Sequence, residues 1–419
     1  MTPDRRKFGQ TLAALAAIGM SGCARKDGPL VVWAMGLEGE ALSSMAKGFM
    51  GQDVRVQALP WAAAHEKLLT AFAADDLPDI VALGNTWVAE FAALNALEPL
   101  GDMLRMSNLD LGHMFDAARQ SVTLDGQIVG IPWYVDTRLL FYRRDLLTKA
   151  GFDAVATTWD AWDRQLEALS GPNRDGKYSL LMPFAEYEPL VALCLQSDDP
   201  ILKDDGTHGN FRSPGIRAAF AFAASLYQKG YAARITHSEV TDLYSAFARG
   251  DYAFYITGPW NLGEFARRLP AGMQDNWSTA LLPGPKGVGA SSAGGASMCI
   301  PRMSRNKDKA FRFIEHICAG RQQAGFYTAT GDLPSDQTVW PTVGLMQDAR
   351  SQAFYQQLNL ARPVPQVPEW EQIANEMVAA LERMVRGIVT LDAGLKALDE
   401  FAETTLSKRR DMLQRGRAA

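Results

Sequence analysis

The sequence of 419 residues predicts an α/β fold in which parallel-rich sheets are covered by helices. Short apolar runs alternate with helical stretches along the first third of the chain, and Gly or Pro stops several of them. The composition, 47% hydrophobic and 21% charged, is that of a globular chain, which argues against wholesale disorder. At roughly 150 residues per domain the length allows two or three domains. A formal charge of −5 argues against the basic face that a nucleic-acid-binding protein presents. The unusual count is aromatic: ten Trp beside only five His.

Residues 1–22 read as an export signal rather than as part of the fold. Arg5, Arg6 and Lys7 precede the apolar run from Leu12 to Met20, which is short for a bilayer span and is followed by small residues. Arg5-Arg6 followed by Phe8 resembles a twin-arginine signal, although Asp4 stands where that pattern has Ser or Thr. Met20-Ser21-Gly22-Cys23 resembles a bacterial lipobox, so Cys23 is the expected lipidated first residue, and its acyl chains would tether the protein to a membrane surface. The alternative is a spare thiol beside an ordinary cleavage site. Cleavage leaves 39 basic and 46 acidic residues, a net charge of −7. Cys194, Cys299 and Cys318 then remain, an odd number without metal-ligand spacing, and the first two sit in apolar runs as small core residues.

Leu30–Ala34 is the first strand, with a helical stretch from Glu40 to Met50 behind it. Val54–Leu59 alternates with period two, as a half-buried strand does, and Pro60 ends it. Leu68, Leu69 and Phe72 give 61–74 helical spacing, and Asp79–Leu83 is the next strand, closed by Gly84. Such βαβ units imply parallel pairing, with ligands bound beyond the carboxyl ends of strands. Further on, a helix opens near Trp159 and another covers 214–229. The stretch 247–256 reads as helix end, Gly turn and strand, and 282–295 is a connector rich in Gly and Pro. A helix follows at 308–318. The last 50 residues are helical, with Ile373, Met377, Leu381, Met384 and Ile388 on one face.

In order, the landmarks are an exported Cys, LVVWAMGLEGE, DIVALGNTWVAEFAALNALEPL, GIPWYVDTRLLFYRRDLL, FARGDYAFYITGPWNLGEF, SSAGGASMCIP and ARPVPQVPEW. Together they resemble the extracellular solute-binding proteins of bacterial sugar ABC importers, of the maltose/trehalose-binding type, over nearly the whole mature chain. The resemblance implies the type II periplasmic-binding-protein fold, two α/β lobes joined by a hinge. It divides the chain into 28–139 plus 291–357 for the N-terminal lobe and 140–290 plus 358–419 for the C-terminal lobe, with crossings near Leu139, Ala290 and Leu358. It also implies an oligosaccharide ligand, an α-linked disaccharide such as maltose or trehalose first, and delivery to a membrane permease driven by a separate ATPase. A monomer, without cofactor or metal, is expected.

A pyranose offers apolar C–H faces and a rim of hydroxyls, so its site needs flat aromatic surfaces and bidentate polar groups. Trp260, after Gly258-Pro259 at a strand end, stands where the resembled family stacks a Trp. Tyr134 and Asp136 share a face of an extended segment, and Asp136 matches a family carboxylate that accepts from adjacent hydroxyls. Glu38 lies beyond the first strand at a position that contacts sugar in relatives. Asn85 ends the third strand with an amide that both donates and accepts. Trp87 either stacks on sugar or staples the following helix. Gly295, with Gly294, allows close backbone approach; Arg362 is read as a fork for a hydroxyl pair, and Trp370 as a second stacking surface. Trp159, Trp162, Trp277 and Trp340 are read as core or lobe-surface residues, and Trp61 carries no role.

Two other classes fit part of this pattern. A glycoside hydrolase would pair two carboxylates, for which Glu38 and Asp136 are candidates, and a surface adhesin would hold carbohydrate without feeding a transporter. The sequence contains no Gly-x-Ser-x-Gly elbow, His-Glu-x-x-His pair or phosphate loop, so this chain is not the ATPase itself.

Overall fold

The computed structural model describes residues 28–51, 53–170, 177–184, 186–236, 239–240 and 242–417. The expected signal peptide and Cys23 lie outside them. Ten strands build two sheets: β1 (Leu30–Met35), β2 (Val54–Leu59), β3 (Ile80–Gly84), β4 (Ile131–Asp136), β5 (Leu139–Arg143), β6 (Tyr178–Leu181), β7 (Tyr252–Thr257), β8 (Trp277–Ala280), β9 (Gly294–Cys299) and β10 (Leu333–Pro334). The first sheet has the order β10-β4-β9-β3-β1-β2 and the second the order β8-β5-β7-β6. The βαβ reading holds where the sequence was clearest: β1 pairs in parallel with β2, Val32 opposite Val56, and with β3, Val32 opposite Ile80. β2 is an edge strand and alternates in exposure, whereas β3 is buried throughout, which is why only β2 shows period two.

Each sheet organises its own core. Strand residues such as Val32 and Leu83 pack with Phe313 and Ile317 of the helix Lys307–Cys318 in the first lobe. In the second, Leu180 and Phe254 join Phe220 and Met377. Trp159, Trp162, Trp277 and Trp340 are all buried, and Cys194, Cys299 and Cys318 are free thiols whose ionisation burial pushes up. Of the terminal apolar face, Ile373 to Met384 is core, but Ile388 lies beyond the end of the helix Trp370–Val385 and is exposed. Gly387, with φ of 71°, turns the chain away before the apolar spacing reaches it.

Three stretches of chain lie side by side between the lobes. Thr137 donates to the Ser292 carbonyl at 2.8 Å, the Arg138 amide to Ser291 Oγ at 3.2 Å, and the Arg362 amide to the Ser291 carbonyl at 2.9 Å. The expected division left 349–357 with the first lobe. The helix Ala349–Asn359 instead packs on the second sheet: Thr279 of β8 donates to the Arg350 carbonyl, and Gln357 accepts from the Leu282 amide. Phe354 fills that side with Phe141 and Trp277, in a cluster that also holds Phe115 and Trp340. Among the described residues no helix is long and apolar enough to cross a membrane.

Candidate functional site: a cleft between the lobes

The carboxyl ends of β1, β2, β3 and β4 share one edge of the first sheet, and the antiparallel strands β9 and β10 begin at the same edge. In the second lobe the parallel strands β6 and β7 end, and β5 begins, at its facing edge. Between these edges lies a cavity of about 630 Å³, within the roughly 300–1,000 Å³ of small-molecule sites. Glu38 enters it from beyond β1, Trp61 from beyond β2, Asn85 to Trp87 from beyond β3, and Tyr134 and Asp136 from β4. Asp332 comes from the start of β10, Arg138 from before β5, Tyr187 and Glu188 from after β6, Trp260 from after β7, and Glu371 from the terminal helices.

The walls are aromatic. Trp260 opens the helix Trp260–Arg268 and keeps 39% of its surface exposed. Its ring lies against Gly258, where a Cβ would come within 2.0 Å of the indole, and this close approach explains the Gly of the Gly-Pro-Trp turn. Trp61, 38% exposed, meets Trp87 edge-on with ring centroids 5.5 Å apart. Trp87 is largely buried between Trp61 and His65, so it both lines the cleft and anchors the helix behind it. Trp61 is the residue that sequence reasoning left without a role. The rule that ligands gather beyond strand ends, followed at β1 and β3, reaches it at β2 as well.

The floor is acidic. Tyr134 donates to Glu38 Oε1 at 3.4 Å and the Trp61 indole also donates to Glu38; even so, burial raises the Glu38 carboxyl above its ordinary value, and Asp136 adds to the rise. Asp332, 5% exposed, is held well above the usual carboxylate range by burial and by the charge of Glu38. Glu371, raised by burial, accepts from Tyr187 at 3.0 Å and from Thr86, a hydrogen bond that joins the two lobes. Asn85 lines the cavity, but its amide already donates to the Gly294 carbonyl at 2.8 Å and accepts from Ser297 at 2.7 Å, leaving one hydrogen and one lone pair. Gly295, with φ of 98°, is required by the fold itself: a Cβ there would lie 2.2 Å from the Tyr134 carbonyl across the β4–β9 pair.

Two expected site residues are elsewhere. Arg362 donates from Nη1 to the carbonyls of Leu195 at 2.8 Å and Ser197 at 2.9 Å and borders separate surface grooves with Asp198 and Asp199. Trp370 is 1% exposed, packed with Val364, Val367 and Ile373, and its indole N–H has no partner. On a helix the next residue points about 100° away, and it is Glu371, not Trp370, that faces the cleft. Truncating Arg362 to Ala should therefore lower the melting temperature while leaving ligand affinity within about twofold, since it removes only two hydrogen bonds of ~1 kcal/mol each from a loop. Calorimetric titration beside a thermal melt checks both halves. Among the described residues no cluster of His, Cys, Asp and Glu is placed to hold a metal.

Two α/β lobes closing on an aromatic, acid-floored cleft at their strand ends define a binding protein of the periplasmic, two-lobed class. The family model described as bacterial extracellular solute-binding protein matches residues 41–353, and the chain belongs to that family. The structure of the sugar-binding protein MalE from the phytopathogen Xanthomonas citri superposes with a TM-score of 0.87 at 42% identity, covering 92% of this chain and 99% of the other. The diacetylchitobiose binding protein DasA of Streptomyces coelicolor is 22% identical over 386 residues, 89% of this chain and 88% of the relative. The galactooligosaccharide-binding protein of Bacillus subtilis is 25% identical over 393 residues, 90% and 89% respectively.

Proposed function

We propose that the chain is the substrate-binding component of a bacterial sugar ABC importer and that it captures a neutral oligosaccharide, an α-linked disaccharide such as maltose or trehalose, in the cleft between its lobes. The observation that carries the reading is the pairing of exposed Trp61 and Trp260 with the carboxylates Glu38, Asp136 and Asp332 in one cavity. Indole planes take the C–H faces of a pyranose, and carboxylates accept from its hydroxyls. The similarity to the Xanthomonas MalE supports the ligand class. In this reading Glu38, Trp61, Trp87, Tyr134, Asp136 and Trp260 touch sugar, Asn85 and Gly295 shape the floor, and closure presents the loaded protein to a permease. The protein acts as an exported monomer, tethered through Cys23 after removal of residues 1–22. Glu38 and Asp136 bind rather than hydrolyse, so no glycoside should turn over; hydrolysis lost in Asp136→Asn would overturn this.

The cleft also sets a charge filter. Among the described residues, five carboxylates line it against the single guanidinium of Arg138, which is already paired. Ligand that binds only the folded protein stabilises it by RT ln(1 + [L]/Kd), about 2.7 kcal/mol at a hundredfold excess over Kd. A thermal-shift panel should therefore show maltose or trehalose raising the melting temperature of the mature protein, and glucose 6-phosphate or glucuronate leaving it unchanged. A panel of mono-, di- and oligosaccharides without any shift would sink the sugar assignment, and a shift with the anionic sugars would sink the filter.

A further inference from the structure

Arg138 sits in the two-residue crossing between β4 of the first sheet and β5 of the second, yet its side chain is 90% buried in the cleft. Nη1 donates to Asp136 Oδ1 of the first lobe at 3.0 Å, and Nη2 to Glu188 Oε1 of the second at 2.9 Å. The guanidinium carbon lies 4.6 Å from the centroid of the Trp260 ring, also of the second lobe. Burial works against its charge, but Glu188 and Asp136 outweigh that and hold it protonated. Its Nε remains without a partner. A flat cation with donors on different nitrogens can meet two carboxylates and an indole face at once; an ammonium of similar reach cannot.

We propose that Arg138 is a positioning residue that couples lobe closure to ligand affinity, holding the first-lobe carboxylate Asp136 against the second-lobe pair Glu188 and Trp260. The proposal rests on the reading of this cleft as the ligand site, but closure itself is testable without ligand. A single side chain at the crossing then sets both the closed population and the orientation of Asp136 and the Trp260 plane. Whatever loosens the fork lowers apparent affinity through the fraction of competent protein, without removing a group from the ligand.

The test uses the mature chain carrying spin labels at Lys47→Cys and Lys396→Cys, exposed positions of the first and second lobes, with interlobe distances measured by pulsed electron resonance. Arg138→Lys keeps the charge and loses the fork; Glu188→Gln keeps Arg138 and takes the charge from one arm, leaving a weaker neutral acceptor. Both should shift the ligand-free distances toward longer values, and Arg138→Lys should weaken maltose or trehalose binding at least tenfold, mainly through faster dissociation, with circular dichroism unchanged. Distances in both variants that superimpose on those of the parent protein would overturn the coupling, including where affinity falls. If no sugar binds the parent protein, the sugar reading fails while the ligand-free distances still decide this one.

Discussion

Replacing Trp260 with Ala should weaken disaccharide binding about 30-fold and leave the ligand-free melting temperature within roughly 2 °C of the parent protein. The ring is 39% exposed, so its removal costs the core little. Its worth is as a preformed plane: it opens a helix directly after β7, leans on Gly258 and is capped by Arg138, so stacking needs no reordering of the ring. Central aromatic anchors commonly contribute ~2 kcal/mol, which is close to the 30-fold expected. Trp260→Phe separates two causes, since it keeps a smaller plane while halving the contact; it should fall between the parent and the Ala variant. Isothermal titration with the sugar that gives the largest thermal shift reads the result. Unchanged affinity in Trp260→Ala would remove it from the site.

The fold was legible because its signals are local. The period-two pattern of Val54–Leu59, the stop at Pro60 and the Gly that ends β3 are each written in a few neighbouring residues, and the parallel pairing of β1, β2 and β3 follows from them. The part of the cleft that hangs on those strand ends was legible too: Glu38, Asn85, Trp87, Tyr134, Asp136 and Trp260 all line the cavity. What sequence reasoning lost was Trp61, beyond the end of β2, and residues supplied by later parts of the chain. Asp332 and Glu371 lie hundreds of residues from Glu38 and have no local pattern marking them. Trp370 was misplaced by one residue on a helix, enough to exchange a core position for a cleft position. Arg362 sits beside the hinge, where its backbone pairs with Ser291 while its side chain is turned to the second lobe's own carbonyls.

Asp332 gives the second large effect, and its sign runs against the usual behaviour of carboxylates. Burial, with the charges of Glu38 and Asp136, raises its folded-state value well above the unfolded one of about 3.9, and only the Thr330 hydroxyl opposes the rise. Between those values the folded protein holds the proton more tightly than the unfolded chain. The stability this group contributes is therefore present at acid pH and lost as pH rises through the folded value. Asp332→Asn, neutral at every pH, should melt higher than the parent protein at pH 7.5, on the order of 2–4 °C, the shift that ~1 kcal/mol produces in a domain of 150–250 residues. The gain should shrink as pH falls and approach zero below about pH 3, where the parent carboxyl is protonated in both states. The same variant should bind sugar more weakly, because an amide that replaces a carboxylate loses an acceptor. A scan of melting temperature against pH, with titration at pH 7.5, measures both. Equal melting temperatures at pH 7.5 would show that folding does not raise the value of this carboxyl, whereas higher stability with lower affinity would show a cleft that keeps a costly acid because its ligand uses it.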